Sequence, residues 1–171
     1  MSADENKALV RSFFEEVWNK GNYEFLDEAY DPNFKLNVMW QNPAAGGAGG
    51  KTGTEAAKEV ISGWRDSVPD LHVSIDEQIA DGDTVVSRHT SEGTHERMMM
   101  GIPPTGKRFK MTGITFTRCA EGKMVEAWTH WDMLGLLMAI GVIPPLGAGA
   151  ALATGGPGTP SEAAPSGGPA H

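Results

Sequence analysis

His89 and His95 stand six residues apart in a stretch where polar and apolar residues alternate. An even spacing on a strand puts both side chains on one face. Imidazole titrates near neutral pH, so either can serve a pocket as general acid or base. Each also has a plainer reading, His89 as a half-buried strand residue and His95 as a structural one. Asn37 and Gln41 carry amides suited to orienting a carbonyl, although exposed strand polarity explains them equally. Trp40, Trp131 and the run Met98, Met99 and Met100 would give a flat, adaptable lining for a hydrophobic small molecule. Phe14 and Met111 join that substrate-lining set, with the same alternative of plain core.

Other groups lose their appeal on context. Asp132 precedes Met133 and Leu134, where a carboxylate caps a helix. His130 alternates with Thr129 and Trp131 and therefore faces away from them. Ala45, followed after four residues by Gly50-Lys51-Thr52, loosely fits a phosphate-binding loop between a strand and a helix. A nucleotide-binding parallel sheet needs nearly continuous apolar strands, however, and the neighbouring strands alternate, so no ATP binding is expected. Cys119 stands alone, which excludes an internal disulfide, and no Cys/His spacing suits zinc. Neither a metal nor a cofactor is expected.

The elements that must position these residues come from periodicity. Ser2 and Glu5 have capping-box spacing, and Leu9, Val10, Phe13, Phe14, Val17 and Trp18 recur at helical intervals, predicting a helix to about Lys20. Phe25, Leu26, Ala29 and Tyr30 mark a short second helix ended by Asp31 and Pro32. Residues 34–40 alternate as a half-buried strand. Thr52 and Glu55 open a third helix with a stripe of Ala57, Val60, Ile61, Trp64 and Val68. The period then becomes two. Leu71, Val73 and Ile75 lead through Asp81-Gly82 into a strand from Thr84 to about His95, and strands at 107–118 and 123–131 turn at Glu121-Gly122. A short helix with Leu134, Leu136, Leu137 and Ile140 closes the series.

Helices first and antiparallel strands afterwards predict an α+β fold, a curved, mostly antiparallel sheet wrapped around N-terminal helices. One domain is expected over residues 1–143. The remainder, 144–171, holds seven glycines and six prolines with one charged side chain, and reads as a disordered tail. A formal net charge of −8 disfavours phosphate backbones and anionic lipid, so neither nucleic acid nor membrane is an expected partner. An acidic beginning at Asp4 and Glu5, and no apolar run near the length of a membrane span, point to a cytoplasmic protein.

Gly93-Thr94-His95, then Gly101-Ile102-Pro103-Pro104-Thr105-Gly106-Lys107, then Arg118, Glu121-Gly122-Lys123, Glu126, Trp128, Asp132 and Gly141 form a pattern that resembles the SnoaL-like polyketide cyclases. The resemblance implies an NTF2-like cone that dimerises through the outer face of its sheet. It also implies ring closure by intramolecular aldol chemistry, with relatives that hydroxylate, isomerise or open epoxides. In that family a carboxylate on the last strand removes a proton alpha to a carbonyl, and a histidine on the preceding strand holds the developing enolate. Aligned residue by residue, those positions carry Thr129 and Thr115, and a further histidine position carries Asn37. Neither threonine is a base near neutral pH. The expectation is therefore a cyclase-like enzyme that folds a polyketide or polyene intermediate mainly by positioning it in an apolar cavity. His89, Asn37, Thr115 and Thr129 are its polar candidates. The competing expectations are another reaction in the same cavity, or a non-catalytic binding protein.

Overall fold

The structure, a computed structural model, describes residues 2–38, 53–145 and 147. Trp40, Gln41, the glycine-rich loop with Lys51, and nearly all of the expected tail lie outside the described residues.

Helix α1, Ala3–Phe13, begins with the capping box: Ser2 Oγ accepts from the Glu5 amide, and the Glu5 carboxylate accepts from the Ser2 amide. Two otherwise orphaned donors are thereby satisfied. The expected single helix does not stay α-helical. From Phe14 to Asn19 it widens into a π-helix, closed by Lys20 N–H donating to Glu15 five residues back. Its end is held from outside. Arg65 of α3, Gly53–Ser67, donates to the carbonyls of Trp18 and Asn19. The Asn19 amide both donates to Val73 O at 3.0 Å and accepts from Val73 N at 2.8 Å, which ties the π-helix to β2, His72–Asp81.

Helix α2, Phe25–Ala29, is shorter than expected because β1 begins at Tyr30 and runs to Val38, taking in Asp31 and Pro32. Proline is tolerated there because β1 is an edge strand. The remaining strands follow the sequence reading within two residues: β2, β3 Thr84–Thr94, β4 Arg108–Ala120 and β5 Lys123–Trp131. Helix α4, Met133–Ala139, is capped by Asp132, whose carboxylate accepts from the Gly135 amide at 2.8 Å. The expected cap at Asp132 is thus what the structure contains.

The five strands form one open sheet in the order β1-β5-β4-β3-β2. All neighbours are antiparallel except β1 and β5, which run parallel and join the first strand to the last. The helices α1, α3 and the π-helix pack on one side of this mixed sheet. Alternation along β4 is complete: Phe109, Met111, Gly113, Thr115, Thr117 and Cys119 are buried, and the intervening residues are exposed. The core between helices and sheet is built from Val10, Phe13, Val17, Leu26, Phe34, Ile61, Trp64 and Val85, among others. Two glycines make that packing possible by close approach. A side chain at Gly93 would meet Val68 Cγ1 at 2.3 Å, and one at Gly113 would meet His89 Cε1 at 2.5 Å and Trp131 Cδ1 at 2.7 Å.

Candidate functional site

Strand register brings the polar candidates together. His89 of β3 lies opposite Gly113 of β4, which lies opposite Trp131 of β5; one step along, Ser87, Thr115 and Thr129 form the next row. All of these face the helices. His89 Nε2 is 3.1 Å from Thr115 Oγ1, and Thr115 Oγ1 is 3.2 Å from Thr129 Oγ1, a hydrogen-bonded chain across three strands. His89 is 2% exposed, and its other nitrogen, Nδ1, has no hydrogen-bond partner. Burial holds the imidazole pKa down from 6.5 to about 4, with the negative charge of Asp76 opposing this weakly, so the ring is neutral at pH 7.

These side chains line a cavity between the sheet and the helices. Phe13, Phe14 and Trp18 form one wall, Ala57, Val60 and Ile61 of α3 another, and Tyr30, Phe34 and Leu36 the side toward β1. The sheet contributes Val73, His89, Ser91, Thr115, Thr117, Met124, Ala127, Thr129 and Trp131. No Asp, Glu, Lys or Arg is among the described residues of this lining. Empty space within the walls and the open mouth is about 560 Å³. Aromatic rings set its shape: Tyr30 stacks on Phe34 at 3.8 Å, Trp18 and Trp64 flank Trp131 at 6.1 and 5.6 Å, and Phe14 lies 5.2 Å from the His89 ring. Burial pushes the Tyr30 phenol well above its ordinary range, so it too is neutral.

The structure brings together His89, Thr115, Thr129, Phe14 and Trp131 from the sequence set. It does not bring in Asn37. Leu36 and Val38 turn inward, so Asn37 faces outward, donating to Glu126 Oε1 at 3.2 Å and to the Ala127 carbonyl at 3.3 Å. Met111 and Met99 are buried in the core and are not among the residues that line the cavity. Trp40 lies outside the described residues. Sequence reasoning did not name Trp18, Tyr30, Phe34, Ser91 and Thr117 for the lining. Alternation along β4 was enough to place Thr117 beside Thr115, whereas Tyr30 needed the early start of β1.

His95 sits apart from the cavity. It is fully buried just beyond β3, with Nδ1 3.1 Å from Thr105 Oγ1 and Nε2 without a partner. Its backbone donates to the Lys107 carbonyl and accepts from the Gly106 amide, so it holds the C-terminal end of the Pro-Pro-Thr-Gly loop against the end of β3. Among the described residues no three His, Cys, Asp or Glu groups are arranged to hold a metal ion. No helix among them is long and apolar enough to cross a membrane.

An open mixed sheet wrapped on N-terminal helices around an apolar, aromatic-walled cavity defines an NTF2-like domain. Within that class the chain belongs to the SnoaL-like polyketide cyclases, a family of tailoring enzymes whose model matches residues 8–140. Among solved structures it is similar to TsrD from Streptomyces laurentii, at 26% identity and TM-score 0.72, covering 84% of this chain and 99% of the other. AclR from Streptomyces galilaeus, a proposed hydroxylase, matches at 25% identity and TM-score 0.70, over 84% of this chain and all of its own. IdmH from Streptomyces antibioticus, a proposed polyketide cyclase, matches at 28% and 0.68, over 80% and 98%. No curated protein sequence matches the chain.

Proposed function

We propose that the chain closes a ring in a neutral polyketide or polyene intermediate, and that it does so chiefly by holding the chain in a reactive fold. The observation that carries this reading is the lining itself: aromatic and aliphatic walls, a line of hydroxyls, and no carboxylate among the described residues. His89 is a poor base, because burial depresses its proton affinity. Positioning is a sufficient source of rate, since well-oriented intramolecular reactions gain about 7 to 11 kcal/mol from restraint. The similarity to AclR keeps hydroxylation in the same cavity as the second reading.

The test is turnover of linear intermediates from the biosynthetic steps encoded beside this chain, followed by mass spectrometry for a cyclised isomer. With a substrate in hand, single-turnover rates of wild type, His89→Ala and Trp131→Ala are compared across pH. Trp131→Ala should slow closure at least as much as His89→Ala, and the wild-type rate should stay nearly flat above pH 5. A steep acid limb that vanishes in His89→Ala would instead establish general-base chemistry, and an oxygenated product would favour hydroxylation.

The reading includes a homodimer through the outer sheet face. Its support is an apolar patch: Phe116 is 44% exposed, Ile114 42% and Trp128 38%, with Phe116 directly opposite Trp128. Charged and polar groups border it, namely Arg118, Glu126 and His130. Light scattering at micromolar concentration should give a dimer for wild type and a monomer for Phe116→Glu.

A further inference from the structure

His89 is built to be incomplete. Its Nε2 is engaged by Thr115, while Nδ1 is buried without a partner in a residue that lines the cavity. Counting protons along the chain decides what Nδ1 offers. If Thr129 donates to Thr115 and Thr115 donates to Nε2, both hydroxyl protons are used and the imidazole proton sits on Nδ1. If the chain runs the other way, Nε2–H donates to Thr115 and Thr115 to Thr129. The Thr129 proton then has no recipient within the chain, and the Nδ1 lone pair is unfilled as well. The first arrangement leaves one unmet group and the second leaves two, and unmet buried groups are what a fold tolerates least.

We propose that His89 presents Nδ1–H as a hydrogen-bond donor to the carbonyl oxygen of a neutral ligand, with its tautomer fixed by the hydroxyls of Thr115 and Thr129. This rests on the cavity being the binding site, and it adds the polarity and charge of what binds there. The Phe14 ring, 5.2 Å from the His89 ring, belongs to the π-helix that forms one wall of the same cavity. A carboxylate ligand is disfavoured, because the described lining holds no cation to meet it and the imidazole stays neutral. Thr115 and Thr129 are positioning residues here, acting through the histidine.

The test pairs a spectrum with two isosteric probes. Nitrogen-15 spectra of the histidine-labelled chain distinguish a protonated from an unprotonated ring nitrogen; the expected result is one tautomer for His89, protonated at Nδ1. Thr115→Val should leave a mixture of both. Acetophenone and α-methylstyrene share one shape and differ in C=O against C=CH2. The ratio of their affinities should shift toward the alkene by about tenfold in His89→Phe, the worth of one good buried hydrogen bond. An Nε2-protonated tautomer in wild type, or an unchanged ratio in His89→Phe with both probes still bound, overturns the proposal and leaves the cavity reading intact. Failure of both probes to bind wild type overturns the cavity as a binding site and the proposal with it. The tautomer is read on the wild-type chain, so the outcome does not depend on His89→Phe folding.

Discussion

His89 and His95 are each buried, each set 3.1 Å from a threonine hydroxyl through one nitrogen, and each left with the other nitrogen unpartnered. What differs is the neighbourhood. Around His89 the helices stand off from the sheet and leave a cavity, and its threonine partner belongs to a strand whose inner face is a line of hydroxyls. Around His95 the chain folds back on itself: Thr105 comes from ten residues further along, and the histidine backbone pairs with Gly106 and Lys107 where the loop returns. Nearby, Asp70 accepts from the Thr94 amide at 2.6 Å and its hydroxyl at 2.9 Å, fastening the same corner to the end of α3. The same pair of side chains therefore lines a cavity in one place and closes a loop in the other, and the presence of space separates the two settings.

That contrast is easiest to break with His95→Ala, which should carry the larger effect. Losing a fully buried ring and the clasp on the 96–107 loop should cost about 3 kcal/mol, as other large-to-small changes in cores do. Chemical denaturation should read it as a lower midpoint, while the folded variant still binds cavity ligands at low temperature. Loss of binding without loss of stability would make His95 part of the site after all.

His89 should announce itself through pH instead. In the unfolded chain its imidazole takes a proton near pH 6.5, and in the folded chain only near 4, so the unfolded state binds more protons between those values. Stability is complete above about pH 6.5 and falls as the solution is acidified toward 4, losing about 1 kcal/mol between pH 6 and 5 from this group. Urea titrations at those two pH values should show that loss in wild type, and His89→Phe should remove it. An unchanged acid slope in the variant would mean that the buried ring ionises without difficulty and would blunt the contrast with His95.

Much of the layout was legible because alternation is an honest guide to strands. The positions of β2 to β5 and the capping box at Ser2 and Glu5 could be read from residue type alone, while Thr52 of the second expected box lies outside the described residues. The direction each face points was harder, since the inner face of the sheet carries Ser87, His89, Ser91, Thr115, Thr117 and Thr129, whereas the outer face carries Ile114, Phe116 and Trp128. A cavity and an exposed apolar patch both invert the usual rule that apolar residues point inward. Asn37 was offered both for its amide and for its family position, with exposed strand polarity as the alternative; its neighbours Leu36 and Val38 turn inward, and its amide is held by Glu126 and Ala127. The π-helix had no signal in the sequence pattern, and the contacts at its end are tertiary: Arg65 on the carbonyls of Trp18 and Asn19, and the Asn19 amide on Val73.

The parallel pairing of β1 with β5 carries a consequence for the order of events during synthesis. Tyr30 finds its partner at Met124, and Val38 at Thr129, so the first strand has no place in the sheet until the last has left the ribosome. The hairpins β2-β3 and β4-β5 close over short turns and can form as soon as they emerge, whereas the β1-β5 seam must close a loop of the longest range in the domain. Phe14 and Trp131 stand on opposite sides of that seam in chain order. The cavity is consequently among the last features of the molecule to exist, and a nascent or truncated chain lacking residues 123–131 has strands and helices but no container.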